Sequence, residues 1–338
     1  MLRRTPMFTF LLLTASLAAA KDSCPAGAPQ LIVYHAGSLS AAFNEIEDLY
    51  TRQSGVSVTD VAGGSVSLAR QITAGKQAAD LYAGADFEVI DQMLMPAGFA
   101  DYSIRFAAGA MVLAYTTESK QASSIAGPGK FEPPDTVPEA AVDWATQLTK
   151  PGVTVFGSHP FLDPGAYRAD MIFQLAQAHY GLPNLYDQML THYRIAGIPG
   201  GLGKVFDFQF IYEHGARAAA KNDKTGTYRY VKLPDEVNLG NPAMRGLYAK
   251  FSVPMPGLQS AGAAATVSIP ATRVSWGIAL MNAAPNREHA IAFLQLLLGS
   301  QGAALLDTHG PAPLSPAIVS TQDYAKLPTS LKPLVQAQ

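Results

Sequence analysis

Between Tyr34 and Gln71 the sequence reads YHAGSLSAAFNEIEDLYTRQSGVSVTDVAGGSVSLARQ, and one arrangement occurs in it twice: an apolar run, a small-residue turn carrying a serine, then apolar residues at helical spacing. A serine at such a handover from strand to helix lies in the first helical turn. There the backbone N–H groups lack intrahelical partners and the helix dipole is positive. Ser38 in HAGSLS and Ser65 in AGGSVS are therefore positions able to receive an anion. Gly37, Gly63 and Gly64 let a ligand approach the backbone, and each hydroxyl adds a rotatable donor. Serine also favours helix N-caps with no ligand present, so one such turn says little and two in succession say more.

The rest of the chain continues the alternation. Leu31–Tyr34 is expected as a buried strand, and Leu39, Phe43, Ile46 and Tyr50 fall on one helical face that Gly55 ends. Val56–Val61 alternates as a strand, Leu68 and Ile72 line a helix ending at Gly75, and Asp80–Ala83 is a third strand. Asp86 reads as the cap of a helix carrying Phe87, Ile90 and Leu94. This order predicts parallel βαβ units. Met111–Tyr115 is a further strand, after which Thr116–Pro138, rich in Ser, Gly, Pro and Lys, reads as an excursion between lobes. Val153–Phe156, Phe206–Tyr212 and Tyr228–Leu233 read as strands. Between the first two of these, Asp163 as cap and Pro164 as first helical residue open a helix with Tyr167, Met171, Leu175 and Ala178 on one face. Ala290–Leu298 is the last clear helix, following an Ala-Pro-Asn turn at 284–286.

A length of 338 residues exceeds the usual single core, so two lobes are expected; 48% hydrophobic against 15% charged residues indicates a well-buried globular chain. The N-terminus has Arg3 and Arg4, an apolar run from Met7 to Leu17 and small residues before Lys21, which reads as a secretory signal peptide over residues 1–20. Cys24 is the one cysteine, so no intrachain disulfide forms, and the preceding Asp22-Ser23 fits a lipid-anchor site poorly; the mature chain is read as soluble and monomeric. Loss of Arg3 and Arg4 leaves 22 basic against 26 acidic residues, a net charge of −4. With no basic run or stripe, nucleic acid and anionic membranes are poor partners, and any bound anion must be held by local dipoles.

Two other classes of function need their own residues. An enzyme is disfavoured by the lack of G-x-S-x-G, H-E-x-x-H, P-loop and G-x-G-x-x-G motifs, with His35 the one candidate base near Ser38. A cation site would have to gather His159, Asp163, Glu213 and His214. Arg168 is expected to pair within the second lobe.

AGSLSAAF, AGGSVSLARQI, ADLYAGAD ending at Asp86, MLMP from Met93, DPGAYR from Asp163 and the Ala-Pro-Asn turn together resemble the molybdate/tungstate-binding proteins of ABC importers, from about Leu31 to Pro316. The Met-Pro stretch and the DP-x-x-YR motif are similar to the archaeal-type tungstate/molybdate branch.

That resemblance implies an α/β fold of the type II periplasmic binding protein kind: two lobes, a ligand cleft between them, and two chain crossings. Residues 29–115 with 275–338 would form the first lobe and 116–274 the second. It implies no cofactor, a periplasmic location, a membrane permease as partner, and molybdate or tungstate as ligand. Ser38 and Ser65 would donate from the first lobe; backbone N–H groups around Ala166 and Tyr167, with Tyr212, from the second. Donors alone suit a fully deprotonated oxyanion, whereas phosphate, partly protonated at neutral pH, also needs an acceptor. In the archaeal-type branch an Asp of the DP motif and a Glu before the later Tyr expand the coordination of the metal. Asp163 matches that Asp, but Ile211 stands at the Glu position and Glu213 lies beyond Tyr212. The resemblance thus implies Asp163 as a ligand of the bound metal centre, with Glu213 or a water completing the shell.

Overall fold

The computed structural model describes residues 30–75, 78–195, 201–258 and 265–338; the expected signal peptide and Cys24 lie outside them. The first stretch is β1 (Gln30–Ala36), α1 (Ser40–Ser54), β2 (Ser57–Gly63), α2 (Ser65–Thr73) and β3 (Leu81–Gly84). β1 is parallel to both β2 and β3, as the alternation predicts. Gly55 closes α1 in the left-handed region at φ 71°, a conformation glycine adopts without strain. In the β1/β2 register Ala36 lies opposite Gly63. Ser38 and Ser65, each two residues further on, therefore stand side by side beyond the carboxyl edge of one sheet.

That sheet is completed by β4 (Ile104–Ala108) and, from the end of the chain, β12 (Ser275–Leu280), β13 (Ala312–Val319) and β14 (Val335–Ala337), in the order β14-β13-β4-β12-β3-β1-β2. The second sheet has the order β7-β6-β8-β5-β9 and uses β5 (Met111–Thr116), β6 (Val155–Gly157), β7 (Tyr193–Ile195), β8 (Phe208–Tyr212) and β9 (Tyr228–Lys232). β10 (Ser252–Pro256) and β11 (Thr266–Pro270) form a separate antiparallel pair. Of the helices beyond α2, α3 (Ala122–Ile125) and α4 (Trp144–Leu148) are short, α5 (Pro164–Tyr180) and α6 (Leu185–His192) follow β6, and α7 (Glu213–Asn222) follows β8. α8 (Arg245–Tyr248) precedes the return to the first sheet, where α9 (Arg287–Leu298) and α10 (Ser300–His309) pack beside α1. Among the described residues no single helix is long and apolar enough to cross a membrane.

One assignment changes. Met111–Tyr115, expected with the first lobe, pairs with β8 and β9 in the second sheet. A strand buried along its whole length reads the same in either sheet, so only its pairing places it. The chain therefore leaves the first sheet at Gly109–Ala110 and returns just ahead of Ser275. The two passages are tied together by Gly109 N to Val274 O at 3.0 Å, Val274 N to Leu239 O at 2.7 Å and Met111 N to Asn238 O at 2.8 Å. α5 also differs slightly: Tyr167, Met171 and Leu175 are buried, whereas Ala178 is exposed.

The Asp80 motif and the Ala-Pro-Asn turn, distant in sequence, meet in one network. Asp80 is fully buried; its carboxylate accepts from Ile32 N at 2.8 Å, Asn286 N at 2.6 Å and Asn286 Nδ2 at 3.0 Å. It joins β1 to the N-terminus of α9. Asp80→Ala strands these buried donors and is expected to lower stability by about 3 kcal/mol. Urea unfolding measures this; a loss under about 1 kcal/mol would contradict the network's role.

Candidate functional site

The carboxyl edges of the two sheets face each other across a cavity of about 440 Å³. Ser38, Ser65, Asp163, Ala166 and Tyr212 all line it; Tyr167 and Glu213 do not. Of the seven residues singled out in the sequence, five are thus brought together.

Three hydroxyls on the wall share one property. Trp276 Nε1 donates to Ser38 Oγ at 3.0 Å, Ala85 N donates to Ser65 Oγ at 2.9 Å, and Arg168 Nη1 donates to Tyr212 Oη at 2.9 Å. Each oxygen already accepts once from the protein, which fills one of its two acceptor positions and leaves its own O–H to be given away. Burial raises the pKa of the Tyr212 phenol, with Arg168 opposing and Asp163 and Asp86 reinforcing, so the phenol keeps its proton. Gly37, Gly64, Gly165 and Ala166 bring the first turns behind Ser38, Ser65 and α5 to the same wall.

Asp163 caps α5. Its Oδ1 accepts from Gly165 N at 2.9 Å and its Oδ2 from Ser158 Oγ at 2.8 Å. Glu213 is elsewhere: its backbone N–H bonds Ala110 O at 3.0 Å, and its side chain lines a second cavity with Glu139, Lys232 and Arg273. Ile211 occupies the ligand-facing wall instead, because β8 ends at Tyr212 and α7 begins at Glu213, turning that side chain away. Tyr167 is fully buried and donates its hydroxyl to Asp86 Oδ2 at 2.8 Å.

Arg168 departs furthest from expectation. It does not pair within its own lobe alone but crosses to the first, donating to Ala85 O at 2.6 Å with Asp86 Oδ2 3.2 Å from Nη2. Burial works against the guanidinium charge, yet Asp86 and the phenols of Tyr212 and Tyr167 hold its pKa above the usual value. His214 also crosses, its Nε2 3.0 Å from Ser38 O. Burial pushes its pKa down to about 4, with Arg217 adding and Ser38 O opposing, so the neutral ring donates at neutral pH.

Tyr193 was not foreseen. Its hydroxyl is buried on the cavity wall with no hydrogen-bond partner among the described residues, and its ring lies where a Cβ on Gly157 would sit. The glycine ending β6 was the available signal. Trp276, on the other hand, joins Ser38 to the edge of the Tyr212 ring, 4.9 Å between centroids. The candidate base His35 is engaged: Nδ1 is 2.9 Å from Ala36 O and Nε2 2.6 Å from Asp60. Nor do His159, Asp163, Glu213 and His214 converge. Among the described residues, the His/Asp/Glu group close enough to share a cation is His35, Glu47 and Asp60, at β1, β2 and α1 of the first lobe.

Gly64 has a use besides ligand access. A Cβ there would meet Leu162 O, in the loop before α5, at 2.5 Å, while its own φ of −70° suits any residue. Gly64→Ala should leave the fold intact and obstruct only the approach of the lobes. Solution scattering should give a larger radius of gyration at an unchanged melting temperature; equal dimensions would contradict the contact.

The chain matches, over residues 31–310, the family described as bacterial extracellular solute-binding protein. It is 30% identical to the molybdate/tungstate-binding protein WtpA of Thermococcus kodakarensis, covering 91% of this chain and 88% of the relative. To the protein of that name from Pyrococcus abyssi it is 28% identical, covering 91% and 90%. Among solved structures, the sulfate-binding protein SubI of Mycobacterium tuberculosis H37Rv superimposes with a TM-score of 0.57 at 14% identity, covering 85% of this chain and 87% of that one. The structural likeness establishes the type II periplasmic binding protein fold. With two α/β lobes, a cleft between their carboxyl edges and a family match across most of its length, this chain belongs to the bacterial extracellular solute-binding proteins.

Proposed function

We propose that the protein captures a fully deprotonated tetrahedral oxyanion, molybdate or tungstate in preference to sulfate, in this cleft, and delivers it as a periplasmic monomer to the permease of an ABC importer. The observation that carries this is the hydroxyl set: Ser38, Ser65 and Tyr212 each accept once from the protein and keep an O–H to give. Such a wall favours a ligand that only accepts over one that must also donate, as protonated phosphate does, since the Asp163 carboxylate on the same wall already accepts from Gly165 N and Ser158 Oγ. Asp163, so engaged, is its one carboxylate among the described residues, while Glu213 and His214 lie off the wall, so it offers little to a cation. The names of the two archaeal relatives favour molybdate and tungstate. The likeness to the sulfate binder concerns the fold alone. Among the described residues the wall has no nucleophile with a free base beside it, and we read the protein as a binder that needs no cofactor.

Both carboxylate oxygens of Asp163 hold α5 donors or Ser158, so we assign it as the cap that aims the α5 N-terminus and not as a metal ligand. Removing its negative charge then relieves repulsion of the dianion. Asp163→Asn should bind tungstate as tightly as the parent or more so; a steep loss would assign the carboxylate to the metal centre.

Calorimetry with molybdate, tungstate, sulfate, phosphate and divalent cations tests the main reading. Stoichiometric binding of molybdate and tungstate is expected, and Ser38→Ala or Ser65→Ala should each weaken it by roughly 1.5–3 kcal/mol, the range for hydrogen bonds to charged groups. Binding of cations with no response to molybdate or tungstate would overturn it.

A further inference from the structure

We propose that Arg168 is a positioning residue that makes anion capture and lobe closure one event. From α5 of the second lobe it takes Ala85 and Asp86 of the first and the Tyr212 phenol together, orienting that phenol's proton into the cavity only when the lobes are joined. The inference rests on the oxyanion reading above and assigns its coupling.

Arg168 is 1% exposed, and its partners divide between the lobes. One guanidinium nitrogen serves both Ala85 O and Tyr212 Oη; the other faces Asp86 Oδ2, which also accepts from Tyr167 Oη. Ala85 in turn donates its N–H to Ser65 Oγ. A continuous run of polar contacts thus leads from the first-lobe hydroxyl, through Ala85 and Arg168, to the second-lobe hydroxyl. The planar fork suits several acceptors at fixed angles in a way a lysine ammonium does not.

The energetics explain why such a contact couples and does not merely lock. Joining the lobes strips water from Asp86 and Arg168, and a buried ion pair recovers roughly what that desolvation costs. Alone, the pair leaves closure near balance. An anion accepting from Ser38, Ser65 and Tyr212 then tips it, and its grip depends on the phenol that Arg168 holds. An arginine serving only the second lobe's core would have its partners there.

The test measures solution scattering and calorimetry with sodium tungstate, repeated with sulfate, on the parent, Arg168→Met, Tyr212→Phe and the double variant. If Arg168 acts through Tyr212, Arg168→Met weakens tungstate binding by about tenfold or more and leaves the saturated protein more extended than the saturated parent. Tyr212→Phe then costs about tenfold in the parent and under about threefold in the Arg168→Met background. Equal factors for Tyr212→Phe in both backgrounds, or a fully compacted Arg168→Met complex, overturn the inference while the oxyanion reading stands. Compaction by sulfate and not tungstate, lost in Arg168→Met, upholds the inference and removes the proposed preference. No compaction of the parent by either anion overturns the inference, and no heat of binding with either anion overturns the oxyanion reading as well. Should Arg168→Met not fold, Asp86→Asn, which strands the guanidinium in the joined state, is expected to show the same loss of compaction, and normal compaction there counts against the inference.

Discussion

A hydroxyl can give or take a hydrogen bond, and the selectivity proposed for this cleft depends on three whose oxygens each already take one from the protein. The indole of Trp276, the backbone of Ala85 and the guanidinium of Arg168 each occupy an acceptor position on Ser38, Ser65 and Tyr212. What each offers a ligand first is its proton, beside the first turns of α2 and α5. A dianion with four acceptor oxygens suits that arrangement. A ligand that must donate is matched less well there, and a buried donor left unpaired costs about as much as the hydrogen bond it forgoes.

The groups that constrain these hydroxyls also come from both lobes. Ser38 is held by Trp276 of β12, just after the chain returns to the first sheet, and that ring touches Tyr212 and His214 of the second. Tyr212 is held by Arg168, which is held in turn by Ala85 and Asp86. Gly64 allows the Leu162 carbonyl against α2, where it accepts from Ser67 N at 3.3 Å. Donor orientation and lobe contact are therefore the same set of interactions. A rearrangement of the lobes alters the affinity of the wall as well as its accessibility.

Much of this was legible in the chain because the relevant signals are local. Strand, small turn and amphipathic helix repeat within forty residues of each other, and the β1/β2 register converts that repeat into two adjacent serines. Asp163 before Pro164 reads as a cap and is one. What could not be read depends on contacts between distant segments. Met111–Thr116 is apolar throughout and fits either sheet until its hydrogen bonds are known. Arg168 stands beside second-lobe residues in sequence, yet its main charge partner is Asp86, 82 positions earlier. Glu213 is one residue past Tyr212, but the strand ends between them and the two side chains face different cavities. Tyr193 enters the site only because Gly157, on a neighbouring strand, has no side chain.

The central claim is that bound anion oxygens accept hydrogen bonds from these three hydroxyls. A crystal structure of the tungstate complex, with the metal located by its anomalous scattering, tests it most directly. The account predicts tungsten in the cleft with Ser38 Oγ, Ser65 Oγ and Tyr212 Oη each about 2.5–2.8 Å from a tungstate oxygen, the range for charge-assisted O–H···O contacts. Tungsten bonded directly to the Asp163 carboxylate, or seated where none of the three hydroxyls reaches an anion oxygen, would contradict it.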